Sequence, residues 1–189
     1  TGLIKMTPNG KGGYNYKRYR KGNNYSLNDD NTYSTIEDNE GNIWVATYGG
    51  GVNVITKDRN GTEIVVNCNN MMKHYPANEF KKVRTLALDK KGRVWAGTTD
   101  GVIILSLKNH NIKMLPVEDT KDAEKNMNSK DIITLKCDRK GTMWIGTNGG
   151  GLSKCLNTNA DSDFQFETYG NADGLPSEEI KSITFDAKD

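Results

Sequence analysis

The hydrophobic residues of this chain fall into short runs separated by polar and glycine-rich turns, and the runs recur in a fixed frame. Ile43-Trp44-Val45, Val94-Trp95 and Met143-Trp144-Ile145 each follow an Asp-x-x-Gly tetrad that opens at Asp38, Asp89 or Asp138 and closes at Gly41, Gly92 or Gly141. A Thr stands three residues after each Trp, at Thr47, Thr98 and Thr147. β-Branched and aromatic residues suit a pleated, half-buried surface, so each run predicts a strand. Asp at the first position of a type I turn accepts a backbone hydrogen bond, and Gly at the fourth takes the left-handed conformation, so each tetrad predicts a hairpin. A second turn, Gly49-Gly50-Gly51, Asp100-Gly101 or Gly149-Gly150-Gly151, leads into a further apolar run over 52–55, 102–105 or 152–156. Each unit thus carries at least three antiparallel strands, with room for a fourth. The three tryptophans, the only ones in the chain, are 51 and 49 residues apart, a period that marks a repeat array.

The frame also orders the rest of the chain. Residues 1–6, Thr-Gly-Leu-Ile-Lys-Met, match the part of the unit that follows the second turn, and residues 14–20, Tyr-Asn-Tyr-Lys-Arg-Tyr-Arg, then form its outermost strand. Basic residues interleaved with aromatics suit nucleic acid or an anionic glycan, but Lys and Arg on an exposed edge strand also deter strand-to-strand aggregation, which is the reading adopted. A polar linker over 21–31 precedes the first complete unit. In that unit Ile36 stands two residues before the Asp, where Leu86, Leu135 and Ile183 stand three before. A one-residue shift exchanges the two faces of a strand, so the register there is open. After a polar, charged loop over 118–130 and the third unit, Ile180, Ile183, Phe185 and Asp186 repeat the start of a fourth.

This frame resembles the two-component regulator propeller repeat, found in tandem in the periplasmic sensor regions of hybrid two-component regulators of polysaccharide-degrading gut bacteria. Residues 169–177, Tyr-Gly-Asn-Ala-Asp-Gly-Leu-Pro-Ser, resemble that family's linker between blades. The resemblance covers essentially the whole chain. It implies an all-β fold, a β-propeller fragment of about four blades: the end of a blade over 1–20, complete four-stranded blades over 32–75, 83–115 and 132–169, and the start of another over 180–189. The N-terminal part would supply third and fourth strands and the C-terminal part a first strand, which leaves no Trp-bearing strand to close a ring. The expectation is therefore a piece of a larger propeller, and one that self-associates through end faces meant for neighbours.

Composition narrows the chemistry. With 26 basic and 24 acidic residues the net charge is +2, which gives no global pull toward nucleic acid or anionic membrane. The mean hydropathy of −0.74 fits many short strands and polar loops. No run is long and apolar enough to span a bilayer as a helix. Cys68, Cys137 and Cys155 lack metal-ligand spacing. Cys137 and Cys155 lie two strands apart, beyond disulfide reach, so all three read as free thiols. His74 and His110 stand alone in different units. Asn159, Asp161 and Asp163 imitate the start of a calcium loop, but Phe164 stands where Gly is needed and Gly170 where Glu is needed. No metal and no cofactor are expected, and the glycine runs lead into strands rather than into the helix of a phosphate loop.

Side chains that repeat once per unit serve the fold, because binding needs asymmetry. Trp44, Trp95 and Trp144 are therefore assigned to packing rather than sugar stacking, and the repeated Asp and Thr to turn and cross-strand hydrogen bonds. In propellers the second-to-third strand turns and the inter-blade loops emerge on one face, where ligands sit. Non-repeated residues there, Tyr25, Asn28, Tyr48, Asp100, Asn148 and Asp173, are the candidate ligand-binding set, and such aromatic, amide and carboxylate groups suit carbohydrate hydroxyls. The resemblance implies a periplasmic ligand-sensing propeller of an inner-membrane hybrid sensor histidine kinase. Its cue would be an oligosaccharide, this chain would do no catalysis, and its partners would be further blades of the parent protein. The alternatives are a propeller scaffold for protein–protein interaction and, third, part of a propeller-based carbohydrate-active enzyme.

Overall fold

The structure, a computed structural model, describes residues 2–23 and 25–186. Thr1 and residues 187–189, which belong to the expected end segments, lie outside the described residues. Strands β1 (Leu3–Pro8) and β2 (Tyr14–Tyr19) form a two-stranded sheet. Three four-stranded antiparallel sheets follow. They are β3 (Thr32–Glu37), β4 (Ile43–Thr47), β5 (Gly51–Lys57), β6 (Glu63–Val66); β7 (Val83–Leu88), β8 (Val94–Thr98), β9 (Gly101–Lys108), β10 (Asn111–Pro116); and β11 (Ile132–Cys137), β12 (Met143–Thr147), β13 (Leu152–Cys155), β14 (Phe166–Tyr169). Each sheet is a meander in chain order, and its first strand packs against the first strand of the next sheet, β3 on β7 and β7 on β11. Sheets that share an inner edge and fan outward are propeller blades.

The Asp-x-x-Gly frame forms the expected hairpin and does more besides. In each blade the Gly amide returns to the Asp carbonyl, at 3.0 to 3.1 Å, with the Gly in the left-handed region. One carboxylate oxygen caps the turn; the other accepts the indole N–H of the repeat Trp, at 2.7 Å in Asp38–Trp44 and 3.0 Å in both Asp89–Trp95 and Asp138–Trp144. The Asp thus fixes the tilt of the ring it shares a blade with. At Asp138, burial opposes ionisation, but the Trp144 indole and the backbone amides of Thr142 and Lys140 outweigh it and hold the carboxyl below its ordinary range. The repeated Thr closes the second turn: its hydroxyl donates to the carbonyl of Gly51, Gly101 or Gly151.

Glycine in that second turn answers a close approach. The amides of Gly49 and Gly51 both donate to the Lys81 carbonyl of the next linker, and those of Gly149 and Gly151 to the Glu178 carbonyl. A Cβ on Gly151, at φ +74°, would stand 2.1 Å from the Tyr169 carbonyl oxygen. Only glycine lets the linker seat itself on the turn. Gly97 and Gly146 do the same for blade packing, since a Cβ there would meet Ile132 at 2.6 Å and Ile180 at 2.8 Å.

The core lies between blades. Trp44, Val52 and Val54 pack with Leu86, Val94, Ile103 and Leu105, and Trp95, Val102 and Ile104 pack with Leu135, Met143, Ile145 and Cys155. Trp44 and Trp95 are fully buried, so truncating either to Ala costs about 3–5 kcal/mol. Trp144 is half-buried on the last blade, beside Tyr169, Phe185 and Lys154.

Several details depart from the sequence reading. The register at β3 is the same as in the other blades: Ile36 lies opposite Trp44 as Ala87 lies opposite Trp95, and Thr35 takes the place of Leu86 and Leu135. The apolar residue has moved to the face that meets the following blade, without any slip of pairing. The linker before β3 is not wholly polar, because Leu27 is buried beneath it with Tyr19, Val45, Ile55 and Val65. The connection after β6 carries a short helix α1 (Ala77–Phe80) and buries Met72, Tyr75 and Phe80, with the Tyr75 hydroxyl donating to the Phe80 carbonyl at 2.6 Å. Residues 180–186 form no strand, yet the Ile180 amide donates to the Thr147 carbonyl at 3.0 Å, in line with the inner strands of other blades.

Candidate ligand-binding site

Each inner strand opens with the same irregularity. Pairing with the second strand shifts between Thr32 and Ser34, between Val83 and Thr85, and between Ile132 and Thr134. The extra residues are Tyr33, Arg84 and Ile133. A bulge residue is unpaired and re-aimed, which frees its side chain from the repeat's packing duty. Beside each bulge the residue after the repeated Thr returns its amide to the carbonyl just before the inner strand: Tyr48 to Asn31, Thr99 to Lys82 and Asn148 to Asp131. The repeat therefore builds one identical cradle per blade and fills it with different side chains.

Those side chains meet across the blades. Tyr33 and Tyr48 stack with ring centroids 5.2 Å apart. Lys82 and Arg84, from the next blade, each approach the Tyr48 ring to 5.8 Å. Arg84 donates to Asp131 and, at 3.2 Å, to the Ile132 carbonyl; Asn148 donates to the other oxygen of Asp131 at 2.9 Å. Partial burial works against the Arg84 charge, but the Asp131 carboxylate and the Tyr48 hydroxyl more than offset it and raise its pKa further. The result is a continuous strip, Tyr33–Tyr48–Arg84–Asp131–Asn148, at one end of the inner strands. Tyr33 is 55% exposed and offers the strip's free aromatic surface, whereas Tyr48 is half-buried among its neighbours.

Of the six residues singled out from sequence, the structure brings Tyr48 and Asn148 into this strip. Asn28 is turned inward: its amide nitrogen donates to the Gly50 carbonyl and Cys68, and its oxygen accepts from Asn69. Asp100 is exposed and bonded to Thr98 and Thr99 in its own turn; Asp173 accepts from the Gly170 amide in the linker; Tyr25 is exposed with φ +58°. Tyr33, Lys82, Arg84 and Asp131 were missed. Their signal was available in part, since each departs from its counterparts in the other units at the head of an inner strand.

The remaining chemistry is structural. Arg93 bridges two blades, pairing with Asp89 at 2.7 Å and donating to the carbonyls of Ala160 and Thr158 and to Asp161 at 3.0 Å. A guanidinium thus sits on the run that imitates a calcium loop, and among the described residues no group of three or more His, Cys, Asp or Glu could hold a metal ion. Cys68, Cys137 and Cys155 are free thiols, and burial pushes Cys137 and Cys155 up. His74 and His110 are exposed.

Comparison with known proteins agrees with this architecture. The family model for the two-component regulator propeller matches residues 26–49 and 126–149. A relative described as histidine kinase P4 of Formosa agariphila is 30% identical over 87 residues, which cover 46% of this chain and 6% of the kinase. The extracellular domain of a hybrid two-component system of B. thetaiotaomicron superposes with a TM-score of 0.65 at 21% identity, over 94% of this chain and 22% of that one. The extracellular domain of a one-component system of the same organism gives 0.61 at 21% identity, over 91% and 20%. These two likenesses establish a shared fold. The chain spans only a small part of each relative.

Proposed function

We propose, from the premise that this chain is built of two-component regulator propeller repeats, that it is the ligand-sensing part of a two-component sensor and that its cue is an oligosaccharide. The observation that carries the reading is the strip at the head of the inner strands, where side chains that differ from blade to blade, among them the bulge residues Tyr33 and Arg84, touch one another across blades. An exposed tyrosine face takes the apolar side of a sugar ring, and the cations, carboxylate and amide beside it exchange hydrogen bonds with its hydroxyls. Because the strip joins three blades, a ligand held there changes how the blades bear on one another, which is the means of passing a signal to a kinase. The sensor region of such a kinase lies in the periplasm, and the extracellular origin of the two B. thetaiotaomicron domains supports that placement. The chain itself binds without turnover.

The test is calorimetric titration with a panel of neutral and acidic oligosaccharides, alongside product analysis. Saturable binding of at least one oligosaccharide without product, weakened about tenfold or more by Tyr33→Ala with an unchanged melting temperature, is the expected result. Release of new reducing ends would identify an enzyme instead. No binding across the panel, or binding indifferent to Tyr33→Ala, would remove the strip as the site.

A further inference from the structure

Hydrogen-bond donors outnumber free acceptors along the strip. Its one carboxylate, Asp131, is already engaged: one oxygen takes Arg84 and the other takes Asn148 at 2.9 Å. The donors are not used up. Lys82 is exposed, its ammonium lies 5.8 Å from the centre of the Tyr48 ring, and among the described residues it makes no ion pair. An aromatic ring is a weak partner for an exposed ammonium. Arg84, whose guanidinium lies at the same distance from that ring, uses Nη1 for both Asp131 and the Ile132 carbonyl, and a guanidinium carries five N–H groups in all. Two further carboxylates stand in the loops beside the strip, and both serve their own loops: Asp29 accepts the Asn31 amide at 2.8 Å and Asp100 the Thr99 hydroxyl at 2.6 Å. The repeat does not account for Lys82 either, since Asn31 and Asp131 hold its place in the other blades.

We propose, resting on the reading of the strip as the saccharide site, that its ligand is an anionic oligosaccharide, with a carboxylate or sulfate group on the Lys82 ammonium and a sugar ring on the exposed face of Tyr33. A neutral hydroxyl both donates and accepts, so a site for neutral sugars sets free acceptors beside its donors. A carboxylate or sulfate only accepts, and an ammonium only donates. The surplus of donors on the strip therefore matches a group that brings no proton of its own. Arg84 adds a second positive charge on the Tyr48 ring while keeping Asp131 as its partner. A cavity of about 660 Å³ beside β1 carries acid as well as base on its walls, Glu40 and Glu63 with Lys5 and Lys57, so an anionic sugar distinguishes the strip from it.

The test is calorimetric titration of the chain with hexuronate tetramers, with the same tetramers as methyl esters, and with neutral and sulfated tetramers of the parent hexoses. Binding of a hexuronate or sulfated tetramer about tenfold or more tighter than its neutral counterpart, and weakened by raising salt from about 0.05 M to about 0.5 M, is the expected result. The two anionic arms tell a carboxylate from a sulfate. Lys82→Gln removes the preference for the anion with an unchanged melting temperature, and Lys82→Arg retains it; a lysine that merely packs on Tyr48 would leave the preference in place in both. A neutral tetramer or methyl ester bound as tightly as its anionic counterpart, and lost in Tyr33→Ala, would overturn the anionic ligand while keeping the strip as the site. A preference for the anion that survives Lys82→Gln would overturn the proposal as well. Absence of binding by every tetramer would overturn both this inference and the reading it rests on.

Discussion

Removing the Asp89 carboxylate separates the two duties assigned to the repeated aspartates. In the fold this side chain accepts the Arg93 amide at 2.8 Å, the Trp95 indole N–H at 3.0 Å and the Arg93 Nε at 2.7 Å, all within a site where Asp89 is 3% and Trp95 0% exposed. Asp58 offers the control. It caps its own hairpin through the Asn60 and Thr62 amides, both at 2.8 Å, in a turn with no tryptophan. Losing turn hydrogen bonds that water can replace costs about 1 kcal/mol. Leaving the Trp95 N–H buried and unpaired adds about 1–3 kcal/mol, and uncoupling the Arg93 guanidinium adds about 1 more, a modest figure because Ala160, Thr158 and Asp161 still hold it. Asp89→Ala should therefore destabilise by about 4 kcal/mol and Asp58→Ala by about 1 kcal/mol. Asp89→Asn should fall close to the Ala variant, because its amide can cap the turn only by turning an N–H toward the indole N–H. Urea unfolding followed by circular dichroism, compared at constant m, measures the differences. Equal costs for Asp89→Ala and Asp58→Ala would refute the anchoring of the indole.

Three further outcomes follow from particular contacts. Burial opposes ionisation of Glu63, but hydrogen bonds from Lys17, Tyr19 and Lys5 outweigh it and hold its carboxyl at about 2 against an ordinary 4.5. Since the folded value is the lower one, the attachment of β1–β2 to the next blade is fully supported above about pH 4.5 and weakens as pH falls toward 2. With the lysines more than half exposed, the effect is about 1 kcal/mol, and Glu63→Gln should flatten the acid dependence of amide exchange in β1 and β2. Gly151→Ala should cost well over 2 kcal/mol by thermal unfolding, because its Cβ would enter the Tyr169 carbonyl, whereas Gly149→Ala, with φ +82° and open space around it, should cost only about 1–2 kcal/mol. Arg84→Met should lower stability by less than about 2 kcal/mol, since the pair with Asp131 is part-exposed, while abolishing oligosaccharide binding measured by calorimetry.

The fold was legible because its constraints are local and repeated. Asp-x-x-Gly, the Trp run and the glycine turn each encode a piece of backbone geometry within a few residues, so three copies in register fixed the strand order. What escaped lies where a contact joins distant segments. Nothing around Asp38 announces that its carboxylate reaches the indole of Trp44. The polar spelling of the linker before β3 conceals Leu27, and helix α1 is a single turn set by the burial of Phe80. The candidate site was half legible for the same reason. Tyr48 and Asn148 stand in turns and were visible as non-repeated polar residues. Tyr33 and Arg84 stand inside strands, where alternation assigns a side chain to one face or the other and has no term for a bulge that re-aims it, Tyr33 onto Tyr48 and Arg84 onto the neighbouring blades. Asn28 looked like a free loop amide, but its partners, Gly50, Cys68 and Asn69, are more than twenty residues away.

The most direct measurement is a map of backbone amide shifts on titrating the isotopically labelled chain with an oligosaccharide that binds. The account expects the changes to centre on Tyr33, Tyr48, Lys82, Arg84, Asp131 and Asn148, the heads of three inner strands and the turns beside them. Changes centred instead on the Asp-x-x-Gly turns at the opposite end of the blades, or on the cavity beside β1, would contradict it.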